Sequence, residues 1–170
     1  MTDQDNVAGN EREVLSWEGY GDAVEDLAQM VAKDGFIPDV ILSVARGGMP
    51  LGACLGYRLG IKEVSVVNVE FYTGVEERLP EPVLLPPTPP KETLAGKRVL
   101  IADDVADTGG TMGSVLDYLD TVAADVRVAV LYQKPHSTID CEYVWRQTDE
   151  WIIFPWSAKP PILEGSVKDA

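Results

Sequence analysis

Apolar and polar positions follow two rhythms along this chain, and their order predicts strands alternating with helices. Over residues 22–33, Val24, Leu27, Ala28 and Val31 recur three and four positions apart, which is one face of an amphipathic helix. Gly35 and Pro38 then break it. Val40-Ile41-Leu42-Ser43-Val44 is a short apolar run, as in a strand buried on both faces. A glycine pair, Gly47-Gly48, leads into a small-residue helical stretch over 49–59. Residues 64–71 are rich in valine, Val99-Leu100-Ile101-Ala102 reads as another buried strand, and 111–122 returns to helical spacing. Residues 126–132 and 151–154 complete the set as strands. Repeated β–α–β order predicts an α/β fold, a parallel twisted sheet flanked by helices and joined by right-handed crossovers.

One stretch breaks the rhythm. Residues 72–97 lack periodicity and carry six prolines, at 80, 82, 86, 87, 89 and 90. Proline fixes φ and removes an amide donor, so the segment reads as a long mobile loop rather than a helix or an inner strand. The expected organisation is a single domain over 12–163, with flexible tails at 1–11 and 164–170.

At 170 residues, 45% hydrophobic and 25% charged, the chain has the size and composition of one folded domain, which excludes general disorder. Cys54 and Cys141 are too few for a disulfide framework and point to a reducing, intracellular setting. The chain begins with a polar, acidic segment and contains no apolar run of about 18 residues, so neither a membrane span nor a secretory signal is expected. A formal charge of -14 argues against a nucleic-acid surface, because phosphate backbones would be repelled. It leaves room for a small anion held by backbone amides. Solubility alone accounts for such a charge, which also fits a high-salt habitat.

The chemistry concentrates in 99–111, where a buried strand runs into Asp103-Asp104, then Asp107 and a Thr108-Gly109-Gly110-Thr111 turn that opens a helix. Ligands of open α/β sheets collect at the carboxyl ends of strands. Glycines there permit close backbone approach, and helix N-terminal amides favour phosphate. Carboxylates beside a phosphate repel it unless they meet hydroxyls or a hard cation, and Mg²⁺ resolves the conflict. A phosphorylated sugar with free hydroxyls, bound with Mg²⁺, satisfies all three features. Neither a Walker A loop nor a Gly-x-Gly-x-x-Gly fingerprint is present. A receiver domain would place its acidic strand first, and the 66 residues after Asp104 are too few for the rest of that fold. Simple N-capping does not require three aspartates within this one turn.

Residues 103–111 resemble the phosphoribosyl-pyrophosphate motif of the type I phosphoribosyltransferases, an apolar strand followed by two acids and Asp-Thr-Gly-Gly-Thr. The similarity extends over 40–162. Ser43-Val44-Ala45-Arg46-Gly47-Gly48 is similar to the family's pyrophosphate loop, and 72–93 stands where its mobile loop closes. Lys134-Pro135, Asp149-Glu150-Trp151-Ile152 and Pro155-Trp156 resemble the base-binding hood of the bacterial xanthine-guanine branch.

That resemblance implies a cytoplasmic purine-salvage glycosyltransferase, a dimer or tetramer, that uses Mg²⁺ and phosphoribosyl pyrophosphate to ribosylate guanine, xanthine or hypoxanthine. It implies that Asp103 and Asp104 hold the ribose hydroxyls and, through water, the metal. Thr108, Gly109, Gly110 and Thr111 would cradle the 5-phosphate. Ala45, Arg46 and Gly47 would form the pyrophosphate site, with a non-proline cis peptide at Ala45–Arg46. Asp107 matches the acid near purine N7, Lys134 the lysine on the 6-oxygen, Trp151 the stacking ring, and Ile152 a source of backbone groups. Other readings on the same fold are a nucleotide-sensing or RNA-binding regulator and a transferase for another base. His136, the single histidine, reads as a surface loop residue, and the two cysteines as packing residues.

Overall fold

The computed structural model describes residues 12–74 and 77–163, with side chains for 12–70 and 82–163. The expected tails at 1–11 and 164–170 lie outside the described residues. In chain order the elements are β1 (Arg12–Val14), α1 (Trp17–Asp34), β2 (Val40–Ala45), α2 (Gly48–Leu59), β3 (Val64–Gly74) and β4 (Glu77–Leu85). They continue with α3 (Lys91–Leu94), β5 (Arg98–Ala106), α4 (Gly110–Leu119), β6 (Asp125–Gln133), β7 (Tyr143–Gln147) and β8 (Trp151–Ile153).

Among the described residues, six strands form one sheet in the order β4-β3-β2-β5-β6-β7. All neighbours are parallel except β3 and β4. Alternate side chains of the inner strands serve opposite layers, as the two-residue repeat of a strand requires. Ile41 of β2 and Leu100 of β5 pack with Leu27 and Val31 of α1 and Leu51 and Leu55 of α2. Val40, Leu42, Val99 and Ile101 face the other way, onto Met112, Val115 and Leu119 of α4. Both faces are covered, which is why the inner strands read as continuous apolar runs.

The first helix starts five residues before its predicted beginning because Ser16 caps it, its Oγ accepting from Gly19 N at 3.0 Å. Gly35, with φ of 73°, ends it. A fork joins the entries of β2 and β5. The Asp39 carboxylate accepts from Arg98 N at 2.8 Å, Nε at 3.1 Å and Nη2 at 2.8 Å. These bonds hold Asp39 at a pKa of about 2, below the ordinary 3.8.

The prediction over 72–97 needs correcting. Strand β3 continues to Gly74, β4 pairs with it antiparallel, and a single helical turn follows at α3. Pairing passes from Glu70↔Val83 directly to Tyr72↔Arg78, so the prolines at 80 and 82 fall in a register irregularity on the sheet's edge. An edge strand needs no amide donors on its outer side, which is how it tolerates proline. Phe71 and Tyr72 have no described side chains. Two further strands escaped prediction: β1, three residues long, pairs with β8 in a separate ribbon, and β7 forms the other edge of the main sheet. No helix among the described residues is long and apolar enough to cross a membrane.

Candidate active site

Connections leave β2 toward β3 on one side, whereas β5 continues to β6 on the other. The carboxyl ends of β2 and β5 therefore form the switch point where open α/β sheets hold their ligands. A cavity of about 340 Å³ lies there, lined by Ala45, Gly47, Asp103, Asp104, Asp107 and the 108–111 turn, with Val44, Val69, Val105, Ala106 and Met112 as apolar walls. A larger depression of about 450 Å³ sits at the far end of α2 among Ala53, Gly56, Tyr57, Gly60, Ile61, Lys62 and Val64. Its lining is mostly apolar and holds none of the predicted site residues.

Strand β5 extends through Ala106, so Asp103 and Asp104 are strand residues rather than residues beyond its end. Asp103 is buried, and its Oδ1 accepts from Asp104 N at 2.9 Å. Burial, reinforced by the Asp104 charge, pushes the Asp103 carboxyl well above its ordinary pKa. Burial also raises Asp104, against hydrogen bonds that include one from the Trp156 side chain. Adjacent, desolvated carboxylates favour a proton, a hydroxyl donor or a hard cation. Two hard oxygen donors beside an open cavity suit Mg²⁺, which takes one or two carboxylates and completes its shell with water and substrate oxygens. No cluster of three or more acidic, histidine or cysteine ligands occurs among the described residues.

The loop after β2 approaches β5 closely. An ideal Cβ on Gly47 would stand 2.0 Å from Asp104 Oδ2, so any larger residue there must displace the Asp104 carboxylate or the loop. The Ala45–Arg46 peptide is cis, the form that the resemblance implies. Arg46 is exposed and does not line the cavity. Across the cavity, Gly109 caps α4 with φ of 93°, in the left-handed region that favours glycine. The turn thus leads straight into the N-terminus of α4, whose first amides have no partner inside the helix; Gly110 N makes only a long contact of 3.5 Å to Thr108 Oγ1.

The predicted base-binding residues gather separately. The Lys134 ammonium donates to the Glu150 carbonyl, and Trp151 and Ile152 pair with Arg12 and Glu13 across the β1–β8 ribbon. Trp151 is 67% exposed, which leaves its ring face available. None of the three lines the cavity, but Lys134 N donates to Ala106 O at 2.9 Å, next to Asp107. Behind the ribbon, Trp156 stacks on Phe154, with centroids 5.0 Å apart and planes 9° from parallel.

Two residues near the site have no individual role assigned from the sequence, although Pro155-Trp156 is among the segments that resemble the base-binding hood. Trp156 reaches Asp104 from the hood, and His136 Nε2 lies 2.9 Å from Asp107 Oδ1. His136 does sit on an exposed loop, as predicted, and its partner lies 29 positions away, beyond the reach of a local pattern. Cys54 and Cys141 are free and half-buried, and burial pushes the Cys141 thiol up to about 12, which keeps it unreactive.

The chain as a whole is similar to known proteins. A family model described as a phosphoribosyl transferase domain matches residues 11–162. The xanthine-guanine phosphoribosyltransferase of Gluconobacter oxydans is 31% identical over 122 residues, 71% of this chain and 69% of that protein. The purine phosphoribosyltransferase of Pyrococcus horikoshii Ot3 is 34% identical and superposes with a TM-score of 0.76 over 90% of this chain and 98% of that one. A Helicobacter pylori xanthine-guanine-hypoxanthine phosphoribosyltransferase, 23% identical, shares the fold with a TM-score of 0.72, covering 87% and 95% of the two chains.

Proposed function

This chain belongs to the phosphoribosyl transferase domain family, and on that premise we propose that it transfers ribose 5-phosphate from phosphoribosyl pyrophosphate to a 6-oxopurine, releasing pyrophosphate. One observation carries the reading: a single cavity at the β2/β5 switch point gathers the acidic strand end, the glycine turn and the loop at Gly47. The names of the Gluconobacter and Pyrococcus relatives support a purine acceptor.

The 5-phosphate is received by the amides of Gly109, Gly110 and Thr111 at the start of α4, with the hydroxyls of Thr108 and Thr111 as further donors. Asp103 and Asp104 accept from the ribose hydroxyls. These two carboxylates would also hold Mg²⁺, which when bound would supply positive charge to offset that of the diphosphate. Ala45, Arg46 and Gly47 receive the pyrophosphate, and the guanidinium of Arg46 forks onto its oxygens. As the C1′–oxygen bond breaks, positive charge grows on the ribose, and the fixed carboxylates stabilise it. Purine N9 then bonds C1′, and the proton that leaves N7 passes to Asp107. Lys134 donates to the 6-oxygen, Trp151 stacks on the ring, and Ile152 offers its backbone to the far edge. The backbone bond from Lys134 to Ala106 supports a base seated between Lys134 and Asp107.

Pyrophosphate release, followed with phosphoribosyl pyrophosphate and a panel of free bases, tests this. Release is expected with guanine, xanthine or hypoxanthine and not with adenine or uracil. Release with a pyrimidine alone, or RNA binding at low salt without any turnover, contradicts it.

A further inference from the structure

Residues 134–138 run beside the turn at 106–108 and touch it at three successive points. Lys134 N donates to Ala106 O at 2.9 Å, and His136 Nε2 lies 2.9 Å from Asp107 Oδ1. Thr138 donates to Thr108 O twice, from N at 3.2 Å and from Oγ1 at 2.9 Å. The outer points fix backbone; the middle one acts on a side chain. Among the described residues, His136 is the one side chain bonded to the Asp107 carboxylate. Both partners are more than half exposed, and an exposed pair of this kind adds little to stability.

We propose that His136 is the positioning residue for Asp107, an inference that rests on the purine-transfer reading above. An ionised carboxylate only accepts, so the shared hydrogen sits on His136 Nε2. With Oδ1 occupied, the carboxylate no longer rotates freely, and Oδ2 is left to take the purine proton. A base oriented by a third group is the usual arrangement where proton transfer must be aligned before it occurs. The neighbouring bonds at 106 and 108 keep the imidazole in register with the turn, so alignment is built before the substrate arrives. The purine proton moves only from N7 to Asp107, and His136 keeps its own.

Two measurements on the full chain test this. His136 is the single histidine, so its imidazole gives one set of NMR resonances. Asp107→Asn should shift those resonances; resonances that stay in place overturn the pairing. In steady-state kinetics with guanine, His136→Ala should lower kcat by about tenfold or more, the scale expected when a reacting group is misaligned, with KM for phosphoribosyl pyrophosphate within about twofold. His136→Asn and His136→Gln, which keep a side-chain N–H donor, should recover most of that loss. An unchanged kcat in His136→Ala overturns the proposal, as does a loss confined to KM or an equal loss in all three variants. If the parent turns over no 6-oxopurine, the purine reading fails, and the resonance shift alone decides whether His136 holds Asp107.

Discussion

Gly47 and Asp104 are packed so closely that a single methyl group on Gly47 would stand 2.0 to 2.6 Å from the Asp104 carboxyl atoms. The loop after β2 and the acidic end of β5 are therefore in direct contact, with no room for a side chain between them as they stand. Gly47→Ala must push the carboxylate aside or move the loop, and displacement by about 1 Å at a reacting centre costs about 10²-fold in rate. Gly47→Ala is expected to lose at least that much kcat/KM while keeping its far-UV circular dichroism. A variant that turns over like the parent would show that this contact has no part in catalysis.

Asp107 stands on the turn between β5 and α4 and is more than half exposed, unlike the buried Asp103. Asp107→Asn should lower kcat by about 10²–10⁴-fold, the range for lost acid–base help. Affinity for phosphoribosyl pyrophosphate should stay within about tenfold, or about 1.4 kcal/mol. Calorimetric titration alongside steady-state rates separates the two.

On the proposed reading, Lys134 and Trp151 divide the work of recognising the base. An ammonium has three donors and no acceptor, so one donor can serve Glu150 O while another meets a 6-oxygen. Adenine offers a donor at that position, and a site built around such a bond discriminates by up to about 10⁴-fold. Lys134→Ala should therefore erode the preference for guanine over adenine. Stacking is indifferent to edge groups and contributes about 1–3 kcal/mol per base, so Trp151→Ala should weaken every purine together. Values of kcat/KM for both bases in both variants distinguish these roles.

The Asp39–Arg98 fork predicts a pH effect on stability. Its hydrogen bonds lower the Asp39 pKa from 3.8 to about 2 in the folded chain. A depressed carboxylate pKa stabilises the fold above the unfolded value, and that contribution is lost as pH falls through the folded one. The parent should lose this increment between about pH 4 and pH 2, and Asp39→Asn, lacking it throughout, should show a shallower decline there. Chemical denaturation at a series of pH values reads the difference.

Much of this architecture was legible in the residues because its signals are local. The runs at 40–44 and 99–102 predict inner strands, and both are buried on two faces. The Thr-Gly-Gly-Thr turn predicts a helix start, and α4 begins at Gly110. What escaped depends on distant partners. Strand β1 has three residues and takes its identity from pairing with the predicted strand β8 at the other end of the chain, and β7 from pairing with β6. In β4 the prolines mask an edge strand that only its pairing with β3 reveals. His136 is separated from Asp107 by 29 positions, so no local pattern joins them. The bond to Asp104 from Trp156 is equally non-local.

The most direct test of the account is product analysis by mass spectrometry after incubating the chain with phosphoribosyl pyrophosphate, Mg²⁺ and guanine. The account predicts guanosine 5′-monophosphate and pyrophosphate in equal amounts, and no adenosine 5′-monophosphate when adenine replaces guanine. Recovery of guanine unchanged, with xanthine and hypoxanthine equally inert, would contradict it.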